Sequence, residues 1–136
     1  MRSRVPFSHC VIVIPFIDGV YPTRAEADGR LLVGFSKSGW GAFTLLLRHP
    51  DVFGRAAAFD APLAMDWRST GMGPRKDQLW PTREEEFTRY RMTDLVAANT
   101  PQFRSQPPRL VVLGHDLFLE DDIKFHEFLK ALEMPH

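Results

Sequence analysis

The sequence predicts an α/β fold built around a small parallel sheet, and three observations carry that prediction. Short apolar runs at residues 31–35, 55–59 and 109–114 are each bounded by turn residues, the pattern of buried strands. Longer stretches with helical spacing lie between and after them, and such alternation implies βαβ units with right-handed crossovers. The third observation is Ser36, set among small residues where the first strand runs directly into a helix. Open α/β sheets place their ligands at the carboxyl ends of strands, and Ser36 stands at such an end.

The elements follow in order. Residues 11–17, four of them consecutive β-branched or valine-type positions, read as a buried strand; Val13, Phe16, Ile17 and Val20 also fall at helical spacing. Periodicity leaves both readings open. Asp28-Gly29 turns the chain into a strand over 30–35, followed by a helix over 38–49 that Pro50 stops. Phe53-Gly54 turns into a second strand over 55–59, which Asp60-Ala61-Pro62 ends. Residues 63–81 show no sustained period yet carry Trp67, Met72 and Trp80, and a loop of that length is usually functional. Thr82 with Glu85 forms a capping-box signature, with Phe87, Tyr90 and Met92 on the helix behind it and a further turn or two reaching Asn99. Pro107-Pro108 introduces the clearest strand. A last helix sets Phe125, Phe128, Leu129 and Leu132 on one stripe.

Composition narrows the function. A chain of 136 residues is one domain by size, and 44% hydrophobic with 25% charged residues suits a globular core. Lys plus Arg equals Asp plus Glu at 17 each, so no global field draws in nucleic acid or an anionic membrane. The lone Cys10 excludes an internal disulfide and a thiolate zinc cluster. With no signal-peptide pattern and no run of membrane-spanning length, the expected setting is the cytoplasm. None of the five histidines pairs with further ligands at metal-site spacing, so no metal is expected. The turn matches neither dinucleotide nor P-loop phosphate patterns.

The run Gly34-Phe35-Ser36-Lys37-Ser38-Gly39-Trp40-Gly41-Ala42, followed by Arg48-His49-Pro50-Asp51-Val52-Phe53-Gly54, resembles the esterase D-like branch of the α/β-hydrolases. That branch includes S-formylglutathione hydrolases and feruloyl esterases. The resemblance implies a three-layer α/β-hydrolase-type parallel sheet, and it assigns residues about 9–20 to a helix before the nucleophile strand. It implies acyl transfer on a carboxylic ester or thioester without a cofactor. Ser36 would be the nucleophile on a nucleophile elbow, and the Lys37 backbone N–H an oxyanion donor. Gly114-His115-Asp116-Leu117-Phe118 resembles the site of the triad acid and nominates Asp116; Asp60, Asp121 and Asp122 are the alternatives. Trp67 and Trp80 are candidates to line the acyl pocket.

Two departures limit that reading. Triad order in this fold is Ser, acid, His, so the base should follow a strand beyond the last helix, whereas the chain reaches His136. The second oxyanion donor comes from a loop after an earlier strand, and about 30 residues before the elbow strand are too few to hold it. The expectation is a single partial hydrolase domain over 1–136, lacking both flanks of the sheet. Against the enzyme stands a non-catalytic remnant or interaction module, self-associating through open sheet edges. Bland roles are expected elsewhere: Ser38 as a helix N-cap, Asp121 and Asp122 as caps of the last helix, His136 as a frayed end, and His115 as the one stand-in for the base.

Overall fold

The computed structural model describes residues 7–67 and 84–136, with side chains from residue 12 onward. Its elements are α1 (Phe7–Val20), β1 (Leu31–Phe35), α2 (Lys37–Arg48), β2 (Arg55–Phe59), α3 (Glu84–Thr88), α4 (Met92–Phe103), β3 (Leu110–Leu113) and α5 (Leu119–Ala131). The three strands form one parallel sheet in the order β1-β2-β3. Phe35 lies opposite Phe59, and Phe59 opposite Leu113, so all three strands end on one rim. The α/β class and the three strands expected from the sequence are those observed.

The core lies on one face of this sheet. Alternate strand residues Leu32, Gly34, Ala56, Ala58, Leu110 and Val112 turn toward it, as a period of two requires. Against them α2 sets Phe43, Leu46 and Leu47, α4 sets Val96 and Phe103, and α5 sets Phe125 and Leu129. Phe43 and Phe125 meet with ring centroids 6.1 Å apart. The small residues Gly34, Ala56 and Ala58 bring α2 close to the strands, and the large side chains of the helix fill the space beyond.

The strands were expected to be buried, and half of each is not. Leu31, Val33, Phe35, Phe59, Val111 and Leu113 are exposed. The reason is topological, because the described helices cover one face and leave the other uncovered. The run at 11–17 is helical, as the family resemblance implied and against its β propensity, which spans only about 1 kcal/mol. Ile14 packs on the core, while Ile12, Val13, Phe16, Ile17 and Val20 stay exposed. The helix is tied down by an ion pair from Arg30 to Asp18, which also accepts a hydrogen bond from Thr23 at 2.7 Å.

Arg109 fixes the start of β3. Its guanidinium donates to the carbonyls of Gly54 at 2.7 Å and Pro50 at 2.7 Å, and stacks over Phe103 at 4.7 Å. The segment expected to run as one helix through residue 99 breaks at 89–91 and resumes as α4, which continues past Pro101 to Phe103. Thr82 and its capping box lie outside the described residues.

Close packing at Gly34 is testable. A Cβ there would sit 2.0 Å from the Ser38 carbonyl oxygen and 2.4 Å from the Gly39 nitrogen, both backbone atoms. Gly34→Ala is expected to destabilise the chain by roughly 1–3 kcal/mol in urea unfolding, whereas Gly41→Ala, with nothing within 4 Å of the new Cβ, is expected to be near neutral.

Candidate active site

The site starts from the sharp turn between β1 and α2. Ser36 has φ 54° and ψ −126°, one of three non-glycine residues with positive φ among the described residues. Such a conformation costs about 1–3 kcal/mol and persists only where neighbours impose it. Here they do. The Ser36 N–H donates to Phe59 O at 2.9 Å, and its carbonyl accepts from Gly39 N–H at 3.0 Å. Gly39 lets the helix start against the sheet, since a Cβ there would lie 2.8 Å from Ala61 Cβ and 3.0 Å from Gly34 O.

Ser38 does not cap the helix as expected. Its hydroxyl donates to Phe35 O at 2.7 Å and accepts from Phe35 N–H at 3.1 Å, so it clamps the residue before Ser36. This explains how serine stands where the elbow pattern usually has glycine: the side chain points back across the turn and adds two hydrogen bonds. Lys37 opens α2, and amides of a first helical turn point out of the helix end, where the macrodipole favours negative charge.

The rim continues laterally. Asp60 follows β2, and 114–118 follow β3, so the register sets Ser36, Asp60 and Gly114 side by side. At the usual strand spacing the Ser36 backbone is about 5 Å from that of Asp60 and about 10 Å from that of Gly114. Asp60 is buried, with φ 44°, and its amide donates to Leu113 O at 2.7 Å. Its carboxylate accepts the N–H groups of Asp116 at 3.1 Å, Leu117 at 3.3 Å and Phe118 at 2.9 Å. The Phe118 amide, then those of Asp116 and Leu117, hold its pKa below the ordinary value against the opposing effect of burial. Asp60 thus fastens the loop that carries His115 and Asp116. Sequence reading missed this role; the signal was a carboxylate directly after a strand, read as a turn former.

The two acids of α5 also depart from expectation. Neither bonds to its own helix end. Asp121 accepts the Ala64 N–H at 2.8 Å, so it fastens the 60–67 loop, and burial raises its pKa despite that bond. Asp122 is buried, and both of its oxygens lack a well-formed hydrogen bond. Burial pushes its pKa up to about 7; the Ala61 amide opposes this, and the charges of Asp121 and Asp60 add to it. Among the four candidate acids, Asp60 and Asp121 have carboxylates engaged by backbone amides, Asp122 lies beneath the loop, and Asp116 is exposed on the rim.

The remaining candidates are spread out. Trp67 packs on Phe87 with ring centroids 5.8 Å apart, and Phe87 in turn meets Trp40 at 5.7 Å. Trp80 lies outside the described residues. His49 caps the far end of α2, and His115 is exposed beside Asp116. His136 is not frayed: its ring lies 2.7 Å from His126 Nδ1 and 2.7 Å from Met134 O. Among the described residues no histidine is hydrogen-bonded to Ser36, and no cluster of three or more His, Cys, Asp or Glu is placed to hold a metal. A groove of about 220 Å³, lined by Val13, Ile14, Ile17 and Arg30, opens at the amino end of β1, opposite to the rim that carries Ser36.

A strained serine between a parallel strand and a helix, braced by two glycines, invites comparison with known families. The profile described as Putative esterase matches residues 11–124. The chain belongs to that family. No match is found among curated protein sequences. Among solved structures, S-formylglutathione hydrolase (FrmB) of Staphylococcus aureus superposes with a TM-score of 0.69 at 17% identity, over 95% of this chain and 49% of that one. A ferulic acid esterase gives 0.69 at 19% identity, over 96% and 49%. FphF, a fluorophosphonate-binding serine hydrolase of Staphylococcus aureus, gives 0.71 at 16% identity, over 95% and 52%. The esterase-family chain therefore has the fold of part of an α/β-hydrolase and spans about half the length of these structures. Among its described residues no helix is long and apolar enough to cross a membrane.

Two outcomes follow for the carboxylates. The fold holds a proton on Asp122 up to about pH 7, while the unfolded chain releases it near 3.8. The native state then binds more protons, so stability falls as pH rises from about 4 through 7, with Asp121 acting in the same direction. Asp60, with a lowered pKa, opposes this only below its ordinary 3.8. Urea unfolding across that window is expected to show a decline of order 2 kcal/mol, largely removed in Asp122→Asn. Asp60→Ala is expected to speed hydrogen exchange at the amides of Asp116, Leu117 and Phe118 while leaving the amides within α2 protected.

Proposed function

We propose that Ser36 is the nucleophile of a serine-esterase-type acyl transfer on a carboxylic ester or thioester. The observation that carries this reading is the backbone of Ser36, held at positive φ on the carboxyl rim of a parallel sheet by Gly34 and Gly39. Family membership and the similarity to serine hydrolases support it.

In this reading the Ser36 Oγ attacks the carbonyl carbon, the Oγ–C bond forms, and the hydroxyl proton passes to a base. The carbonyl oxygen takes on negative charge at the amino end of α2, where the Lys37 amide and the helix dipole stabilise it; one such donor is worth roughly 3 kcal/mol. The bond to the leaving alcohol or thiol then breaks with return of the proton, and water releases the acid from the acyl-serine. Asp116 is the acid of the reading, since it sits exposed on the rim while Asp60 and Asp121 serve backbone amides. Trp67, and with it Trp80, would border the acyl group. No cofactor takes part, and a cytoplasmic setting belongs to the same reading, on the single cysteine.

One observation favours a second reading, a hydrolase scaffold without turnover. Complete acyl transfer needs a base for the serine proton, and among the described residues none of the histidines is bonded to Ser36 or to Asp116. A fluorophosphonate probe separates the two. Labelling at Ser36, abolished in a folded Ser36→Ala variant, together with hydrolysis of p-nitrophenyl acetate that the variant lacks, is the outcome expected of the enzyme. Folded protein that stays unlabelled would leave the scaffold reading in its place.

A further inference from the structure

Beyond the rim, α5 and the turn that follows it hold a pair of histidines that the acyl-transfer reading does not use. His126 and His136 are ten residues apart in sequence, and a helix-closing turn brings them together. Glu133 takes φ 53°. Its amide donates to Lys130 O and the next, of Met134, to Leu129 O, each at 2.9 Å. These two bonds are those of a Schellman motif, which reverses the chain at a helix C-terminus. Met134 is buried, and Arg104 donates to Leu132 O at 3.0 Å. The segment after α5 is thus anchored on both sides of the turn, and His136 is set against the helix.

The two rings meet edge-on, with centroids 4.8 Å apart and 67° between their planes. His126 Nδ1 lies 2.7 Å from His136 Nε2, and the other two nitrogens decide where the hydrogens sit. His136 Nδ1 is 2.7 Å from Met134 O. A carbonyl oxygen only accepts, so His136 Nδ1 carries the hydrogen and Nε2 presents its lone pair. His126 Nδ1 donates to that lone pair, and its Nε2 faces Glu127 Oε1 at 3.9 Å. Lys130 Nζ holds the same carboxylate at 3.1 Å. Metal-bound histidines almost always direct their second ring nitrogen at a backbone carbonyl or a carboxylate. One of each is already in place here.

We propose that His126 Nδ1 and His136 Nε2 bind one divalent transition-metal ion of the Zn2+ type, with water completing its shell. Imidazole nitrogen suits zinc, nickel and copper. Tetrahedral bonds of about 2.0–2.1 Å set two ligating nitrogens about 3.3 Å apart. The rings therefore need to part by only about 0.6 Å from the 2.7 Å observed. The hydrogen on His126 Nδ1 moves to its Nε2, where Glu127 accepts it, so binding costs no net proton. Two protein ligands are fewer than those of a catalytic or structural zinc centre, and the role this geometry fits is a clamp on the end of α5. His126 lies about 10 Å along the helix axis from Leu119 at the rim. The site is separate from Ser36 and does not rest on its chemistry.

Calorimetric titration of the chain with Zn2+ tests this. The expected result is saturable uptake of one ion per chain, with a urea midpoint that rises as Zn2+ is added. Glu127→Ala is expected to weaken uptake about 10-fold, as loss of an outer partner does, and His126→Gln and His136→Gln on the order of 100-fold or more. His49→Gln, at the far end of α2, is expected to leave it unchanged. A substitution that loosened the turn would also weaken binding, so nitrogen-15 shifts of the unaltered chain give a second readout. Zn2+ is expected to move His126 Nδ1 and His136 Nε2 into the metal-bound range, while His126 Nε2 and His136 Nδ1 carry the hydrogens. No saturable uptake, uptake that survives both histidine substitutions, or shifts that leave these two nitrogens unmoved would each overturn the proposal.

Discussion

The structure depends on how closely α2 approaches β1 and β2. Gly34 and Gly39 stand where any side chain would meet backbone or the methyls of Ala58 and Ala61, and this lets the helix begin within one residue of the strand's end. No relaxed backbone makes that turn, so Ser36 takes a positive φ. The strain, about 1–3 kcal/mol, is borne by surroundings that fix the residue from both sides: the Phe59 carbonyl on its amide, two helical amides on its carbonyl, and the Ser38 hydroxyl on Phe35. Packing, strain and the position of the half-buried serine at the rim are thus one arrangement.

A second constraint runs along the same rim through carboxylates. Asp60, Asp121 and Asp122 lie within one cluster, yet their surroundings drive their acidities apart. Asp60 is as buried as Asp122, but three amides solvate its charge in place of water, and it remains ionised. Asp122 meets no comparable set of donors and keeps its proton to about pH 7. Splitting the protonation states in this way spares the interior a second full charge beside Asp60. The ionised member can then order the 115–118 loop, and Asp121 can order the loop after β2.

Much of this was legible in the sequence because the signals were local. Gly34, Ser36 and Gly39 specify a strand–turn–helix within six residues, and the apolar runs at 55–59 and 110–113 sit between clear turn residues. What was not legible depended on contacts far apart in the chain. Asp60 and the 116–118 amides are more than 50 residues apart, and so are Asp121 and Ala64; nothing in either segment alone announces the pairing. The capping roles given to Ser38, Asp121 and Asp122 were sound as local propensities, but each side chain found a tertiary partner or a buried position instead. The helix at 7–20 shows the reverse case, since β-branched residues argued for a strand and only the resemblance of its surroundings decided otherwise.

The distribution of the site over the fold separates two kinds of chemistry. A serine held at positive φ and an amide at a helix end need one strand, one turn and one helix, and these pack through Gly34, Gly39, Ala58 and Ala61. In the proposed acyl transfer, a general base and a second oxyanion donor would take their positions from the whole sheet rather than from the elbow. The core reflects the same division: among the described residues it lies between one sheet face and α2, α4 and α5, while the apolar side chains of the opposite face stand exposed. In the proposed reading, the reactivity of Ser36 toward an electrophile rests on this elbow, and turnover rests in addition on a base placed against it.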